Sequence, residues 1–147
     1  MFLAALLALT APQQQCAAMD ANLPAPLAAW ATPGAGSPDD LTKPVGLWPV
    51  DAARMPTLPA SAKPGKVTMI PFAVSKPGIY GIAVDQAAWI DVTPAGGAPL
   101  ATASHGHGPK CSTIRKIVRF DLKPGNYVVY LSGLDSSPVK VMLVAPE

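Results

Sequence analysis

Acidic side chains are scarce in this chain: they number nine, and only one, the terminal Glu147, is a glutamate. No pair of acids sits in a plausible loop, so carboxylate acid–base catalysis has no obvious seat. An oxygen-rich calcium cage of six to eight ligands is equally hard to assemble. Charged residues of both signs make up 14% of the sequence, against about 25% in an average soluble domain. The formal net charge of +2, spread without arm or stripe, argues against nucleic acid or an anionic membrane surface as partner. A nucleophile elbow and a phosphate-cradling glycine motif are missing too. Histidine and cysteine occur only twice each, so any chemistry they carry is confined to a few positions.

What the chain has is apolar residues, 50% of the total, with 18 prolines and 12 glycines. That much proline is incompatible with helix interiors, because each one removes a hydrogen bond and clashes with the preceding turn. Many short strands joined by proline–glycine turns absorb it readily. At 147 residues the chain is expected to hold one domain. Residues 2–9 are mostly alanine and leucine, too short a run to span a bilayer but suited to the apolar segment of a secretory signal. Ala8, Thr10 and Ala11 offer cleavage sites, and residues 1–11 are read as signal peptide. The positive flank of such a signal is missing, and the alternative is a cytosolic chain with an apolar N-terminal helix. No later stretch is long and apolar enough to span, so no stable membrane insertion is expected after cleavage. The product is expected in the periplasm or outside the cell. Cys16 and Cys111 survive the cleavage, and in an oxidising compartment two cysteines in a small domain usually pair.

Residues 12–64 are dense in proline and alanine and read as an arm with short edge strands, the segment 44–50 among them. Trp30 and Trp48 are expected to anchor it, and 31–42 alternatively reads as a disordered linker. From residue 65 the pattern changes. Lys-Pro-Gly occurs at Lys63-Pro64-Gly65, Lys76-Pro77-Gly78 and Lys123-Pro124-Gly125, each read as a type II turn with glycine at the positive-φ position. Strand-like runs are expected over 67–74, 79–84, 88–93, 116–122, 126–132 and 139–145. In 116–122, Val118, Phe120 and Leu122 share one face, and Arg119 and Asp121 share the other. Such strands and turns predict an all-β, antiparallel, jelly-roll-like sandwich over residues 65–147.

The motifs Ile70-Pro71-Phe72-Ala73-Val74, Trp89-Ile90-Asp91-Val92 and Phe120-Asp121-Leu122-Lys123-Pro124-Gly125-Asn126-Tyr127 make residues 65–147 resemble pre-peptidase C-terminal-type jelly-roll domains. That resemblance implies fold more than activity. With Cys16-Ala17-Ala18-Met19, His105-x-His107-Gly108-Pro109-x-Cys111 and Ile114-Arg115-Lys116-Ile117-Val118, the whole chain also resembles a group of small exported proteobacterial proteins of unassigned role. Some of these are named homogentisate dioxygenases. That name implies a metal-dependent oxygenase holding iron through two histidines and a glutamate, and the only glutamate here is Glu147.

One constellation carries chemistry. His105 and His107 are two residues apart, so an extended backbone would point both imidazoles to one side. Cys111 follows four residues later, and two imidazoles with a thiolate suit zinc or copper. Asp91, set inside a strand pattern, is a third candidate ligand or a partner to a histidine; the structural alternative is a hydrogen bond to Arg115, Lys116 or Arg119. The metal and the disulfide compete for Cys111, because a disulfide sulfur is a poor ligand. The expected function is a periplasmic binding module that holds copper or zinc through the His105-x-His107 loop, with Cys111 and Asp91 as further candidate ligands. The alternatives are a structural or interaction module with a protein partner and no metal, and the oxygenase. No catalytic residue and no other cofactor is assigned. Ser104 beside His105 has no positioned partner, and the run 114–119 reads as a solvated strand face.

Overall fold

Among the described residues the alternating runs condense into eight antiparallel strands in two facing sheets. The computed structural model describes residues 15–32 and 36–146; the signal-peptide assignment and Glu147 fall outside them. The strands are β1 (Val45–Leu47), β2 (Lys66–Val74), β3 (Gly78–Val84), β4 (Trp89–Pro94), β5 (Ser104–Gly106), β6 (Lys116–Leu122), β7 (Gly125–Leu134) and β8 (Val139–Val144). One sheet has the order β1-β8-β3-β6-β5 and the other β2-β7-β4. Consecutive strands alternate between sheets, except β5 and β6, which gives the jelly-roll-like sandwich its topology.

The period-two pattern explains the core. Ile82, Val84, Val118, Phe120, Leu122, Val139 and Val141 of the larger sheet meet Ile70, Val92, Val129 and Leu131 of the smaller one in a single apolar cluster. The opposite faces are covered by the residues before β2. Over the larger sheet lies the 3-10 helix Ala25–Ala31, whose Leu27 and Trp30 pack with Ala83, Ile117, Met142 and Val144. Pro26 stands in its first turn, where a missing N–H costs nothing. Residues 36–47 then cross the edge of the sandwich, and the Leu143 N–H donates to the Leu41 carbonyl before β1 pairs with β8. Residues 49–64 pass over the smaller sheet: Val50 bridges Val67, and the Lys63 N–H donates to Ser132 Oγ. Leu41 is buried and Ser37 bridges Asp40, so residues 36–42 have structure of their own. Of the two tryptophans expected to anchor the arm, Trp30 is fully buried, whereas Trp48 is 72% exposed and anchors nothing.

The Lys-Pro-Gly turns are real, but their geometry is not the expected one. Gly65 and Gly125 have φ of 127° and 156°, well beyond the roughly 80° of a type II turn, and Gly78 lies outside the left-handed region. A tyrosine fixes two of the three. Tyr80 donates its hydroxyl to the Lys76 carbonyl at 2.7 Å, and Tyr127 does the same to the Lys123 carbonyl at 2.7 Å.

Candidate functional site

The segment carrying the histidines is short of apolar residues, and its strand β5 exists because β6 supplies a ladder. Ser104, His105 and Gly106 pair with Arg119, Val118 and Ile117. Residues opposite each other in a ladder share a face, so His105 stands on the face of the core residue Val118, towards the smaller sheet. The sandwich is open there. A cleft of about 280 Å3 runs between the sheets, lined by Trp89, Ile90, Thr102, His105, Lys116 and Val118. His107 lies past the end of β5, and the extended ladder that would align its ring with His105 stops at Gly106. Both imidazoles are exposed.

Beyond His107 the chain is drawn tightly to the fold. Gly108 passes so close to Ile114 that a Cβ would stand 2.2 Å from its carbonyl oxygen, so only glycine fits. Cys111 is bonded to Cys16, with Cα atoms 5.3 Å apart. Of the two roles open to Cys111, the disulfide is the one realised. Its sulfur carries no thiolate to give a metal, which removes Cys111 as a ligand. Around the disulfide is a polar node that sequence reasoning missed. Asp20 accepts from the Thr113 N–H at 2.7 Å and from the Thr113 hydroxyl at 2.6 Å. The same hydroxyl accepts from Trp30 Nε1 at 2.9 Å, and the Asp20 N–H donates to the Cys111 carbonyl at 2.8 Å. Asp20 and Cys111 hold positive φ values of 61° and 58°. Left-handed backbone at non-glycine residues is unfavourable and persists where surrounding contacts over-determine it. No signal in the sequence links Asp20 to Thr113, 93 residues away.

Asp91 sits elsewhere. It is buried on β4 in the smaller sheet, in register with Tyr130, and accepts from its neighbour's Trp89 Nε1 at 3.1 Å. The hydrogen bonds expected from Arg115, Lys116 or Arg119 do not form; Lys116 Nζ donates instead to the Ala88 carbonyl at 3.0 Å. The run 114–119 is only partly a solvated face, since Ile114 and Ile117 are buried beneath the 3-10 helix. Among the described residues no three of His, Cys, Asp and Glu are grouped to hold a metal. The structure therefore does not bring the four expected ligands together: His105 and His107 share one segment, Cys111 is spent, and Asp91 is engaged by Trp89. No helix among the described residues is long and apolar enough to cross a membrane. Compared with protein families, curated proteins and solved structures, the chain finds no match.

Proposed function

We propose that the protein is a periplasmic β-sandwich binding module that offers His105 and His107 to a transition metal ion, copper or zinc. The observation that carries this reading is the concentration of restraint behind an exposed, glycine-rich segment. The disulfide, the Asp20–Thr113–Trp30 bonds and two left-handed residues all act on the loop just after the histidines. Binding residues commonly sit on loops held by a rigid scaffold, and pre-organisation lowers the ordering cost of binding. The disulfide also fits an oxidising compartment. The donor set limits the site. Two imidazoles suit copper or zinc, but a closed four-ligand zinc site needs more than they provide. The remaining positions fall to water or to a ligand from another molecule.

Titration of copper and zinc into tag-free, oxidised protein tests this. One equivalent should bind, and both His105→Ala and His107→Ala should weaken it by about tenfold or more, at least the cost of losing a ligand's hydrogen-bonded support. Heat or spectral change that survives both substitutions would refute the assignment. The exposed indole of Trp48, next to the edge strand β1, favours a second reading in which the module docks a protein partner; a silent metal titration would leave that one standing. The oxygenase reading requires a carboxylate beside the imidazoles, and oxygen uptake with homogentisate and ferrous iron is its test.

A further inference from the structure

The cleft beneath His105 has its own chemistry, independent of metal binding. Its floor is aliphatic, from the core residues Ile90 and Val118, and one wall is Trp89, which is 39% exposed. Three polar residues, Thr102, His105 and Lys116, complete its lining. The indole is also flanked by cations, with Lys63 Nζ 4.4 Å and Lys116 Nζ 5.6 Å from the ring centroid. Among the described residues the ion pairs are Lys43–Asp40 and Lys66–Asp51, so neither ammonium at this indole has a carboxylate counter-ion. Asp91 lies at the ring, and its oxygen is engaged by the indole N–H. Of these charged groups only Lys116 lines the cleft, so the charge offered to an occupant is positive and stands over an apolar floor. Wider depressions occur at Gly78–Arg119 and Gly46–Lys140, about 570 and 390 Å3, but they are more open to solvent.

We propose that this cleft binds a small amphipathic carboxylate, with its apolar body on Ile90, Val118 and Trp89 and its anion at Lys116. An apolar cavity with a few convergent polar groups is the usual form of a small-molecule site. A volume of about 280 Å3, just below the usual range of about 300–1,000 Å3, limits the occupant to a small molecule. The carboxylate receives charge-assisted hydrogen bonds from Lys116, which already gives one N–H to Ala88 and has two left.

Octanoate and octan-1-ol, equal in chain length and different in charge, are the probes. Each is titrated into full-length oxidised protein with chelator present, so that the result is separate from metal binding, and followed by amide and indole NMR. Octanoate should shift the Trp89 indole N–H and the His105 ring signals and should bind about tenfold or more tightly than octan-1-ol, the worth of one charge-assisted bond. Lys116→Met should remove most of that difference. Lys116→Gln, which keeps a polar group for the Ala88 carbonyl but carries no charge, serves as the second variant should Lys116→Met fail to fold. Octanoate that leaves Trp89 and His105 unmoved, octan-1-ol of equal affinity, or unchanged affinity in the folded lysine variants would overturn the proposal.

Discussion

The two halves of the segment preceding β2 cover opposite faces of the same sandwich by different means. Residues 16–32 lie over the larger sheet and bury Leu27 and Trp30 among Ala83, Ile117, Met142 and Val144. They are tied by the disulfide, by Asp20 to Thr113, and by Lys140, whose Nζ donates to the Trp30 carbonyl at 2.8 Å and lies 4.3 Å from its ring. Residues 48–64 lie over the smaller sheet, and not one of them is buried. The face they cover carries Asp91, Thr93, Tyr130 and Ser132, and their links include a β-bridge, one hydrogen bond to Ser132, the Lys63 ammonium over the Trp89 ring and the Asp51–Lys66 ion pair. The first half acts as a clamp, with covalent, apolar and polar restraints converging on the loop that follows the histidines. The second is a polar cover. Stability and the geometry of the candidate site should therefore both depend on the first half.

Breaking the clamp covalently should have the largest effect. Cys16→Ser/Cys111→Ser opens a link between residues 95 apart in sequence, which the chain-entropy model values at about 4–5 kcal/mol. Urea unfolding of oxidised and double-serine protein measures it. Trp30→Ala removes a fully buried indole and strands its hydrogen-bond partner, for a loss of about 3–5 kcal/mol. Trp48→Ala, at a largely solvated ring, should stay within about 0.5 kcal/mol of the parent. A similar loss for both would erase the contrast between the halves. Thr113→Val should cost about 1–3 kcal/mol, since it leaves Trp30 Nε1 without its acceptor.

The smallest effect belongs to the polar cover. The Lys66 ammonium, bonded to Asp51 at 2.7 Å, holds that carboxyl below its ordinary 3.8. A depressed folded-state value contributes stability above pH 3.8 that is lost as pH falls through it. The Asp51 carboxyl is exposed to solvent, so only a slight difference in acid unfolding between the parent and Asp51→Asn is expected. An acid transition dominated by Asp51 would mean that the cover bears more of the fold than its burial implies.

The parts of this structure legible in the sequence are those written in period two. The runs 67–74, 79–84, 88–93, 116–122, 126–132 and 139–145 all fall on strands, because Val, Ile and Phe recur on one face and Lys-Pro-Gly or other turn residues separate them. The disulfide was legible from compartment logic and a count of two. β5 was not, since Ser104, His105 and Gly106 have no β-forming pattern and acquire extended structure only from β6. The Tyr80 and Tyr127 bonds to Lys76 and Lys123 do carry a signal, Lys-Pro-Gly-x-Tyr, occurring twice. Asp91 was misassigned because alternation gives its face but not its partner, and its own neighbour Trp89 proved nearest. The 3-10 helix Ala25–Ala31 stayed hidden among prolines, which fit its first turn as easily as an extended arm.

Amide hydrogen exchange in oxidised and reduced protein tests most directly whether the disulfide clamp orders the histidine loop. The Thr113 and Asp20 amides bond within the node, to Asp20 Oδ1 and the Cys111 carbonyl, while those of Ala103 and Arg115 bond into the sheet, to Arg119 and Val84. Under conditions where the reduced protein stays folded, exchange at Thr113 and Asp20 should rise by about a hundredfold, the equivalent of about 2.7 kcal/mol of local stability, with Ala103 and Arg115 nearly unchanged. Equal exchange at Thr113 and Asp20 in the two states would contradict the account.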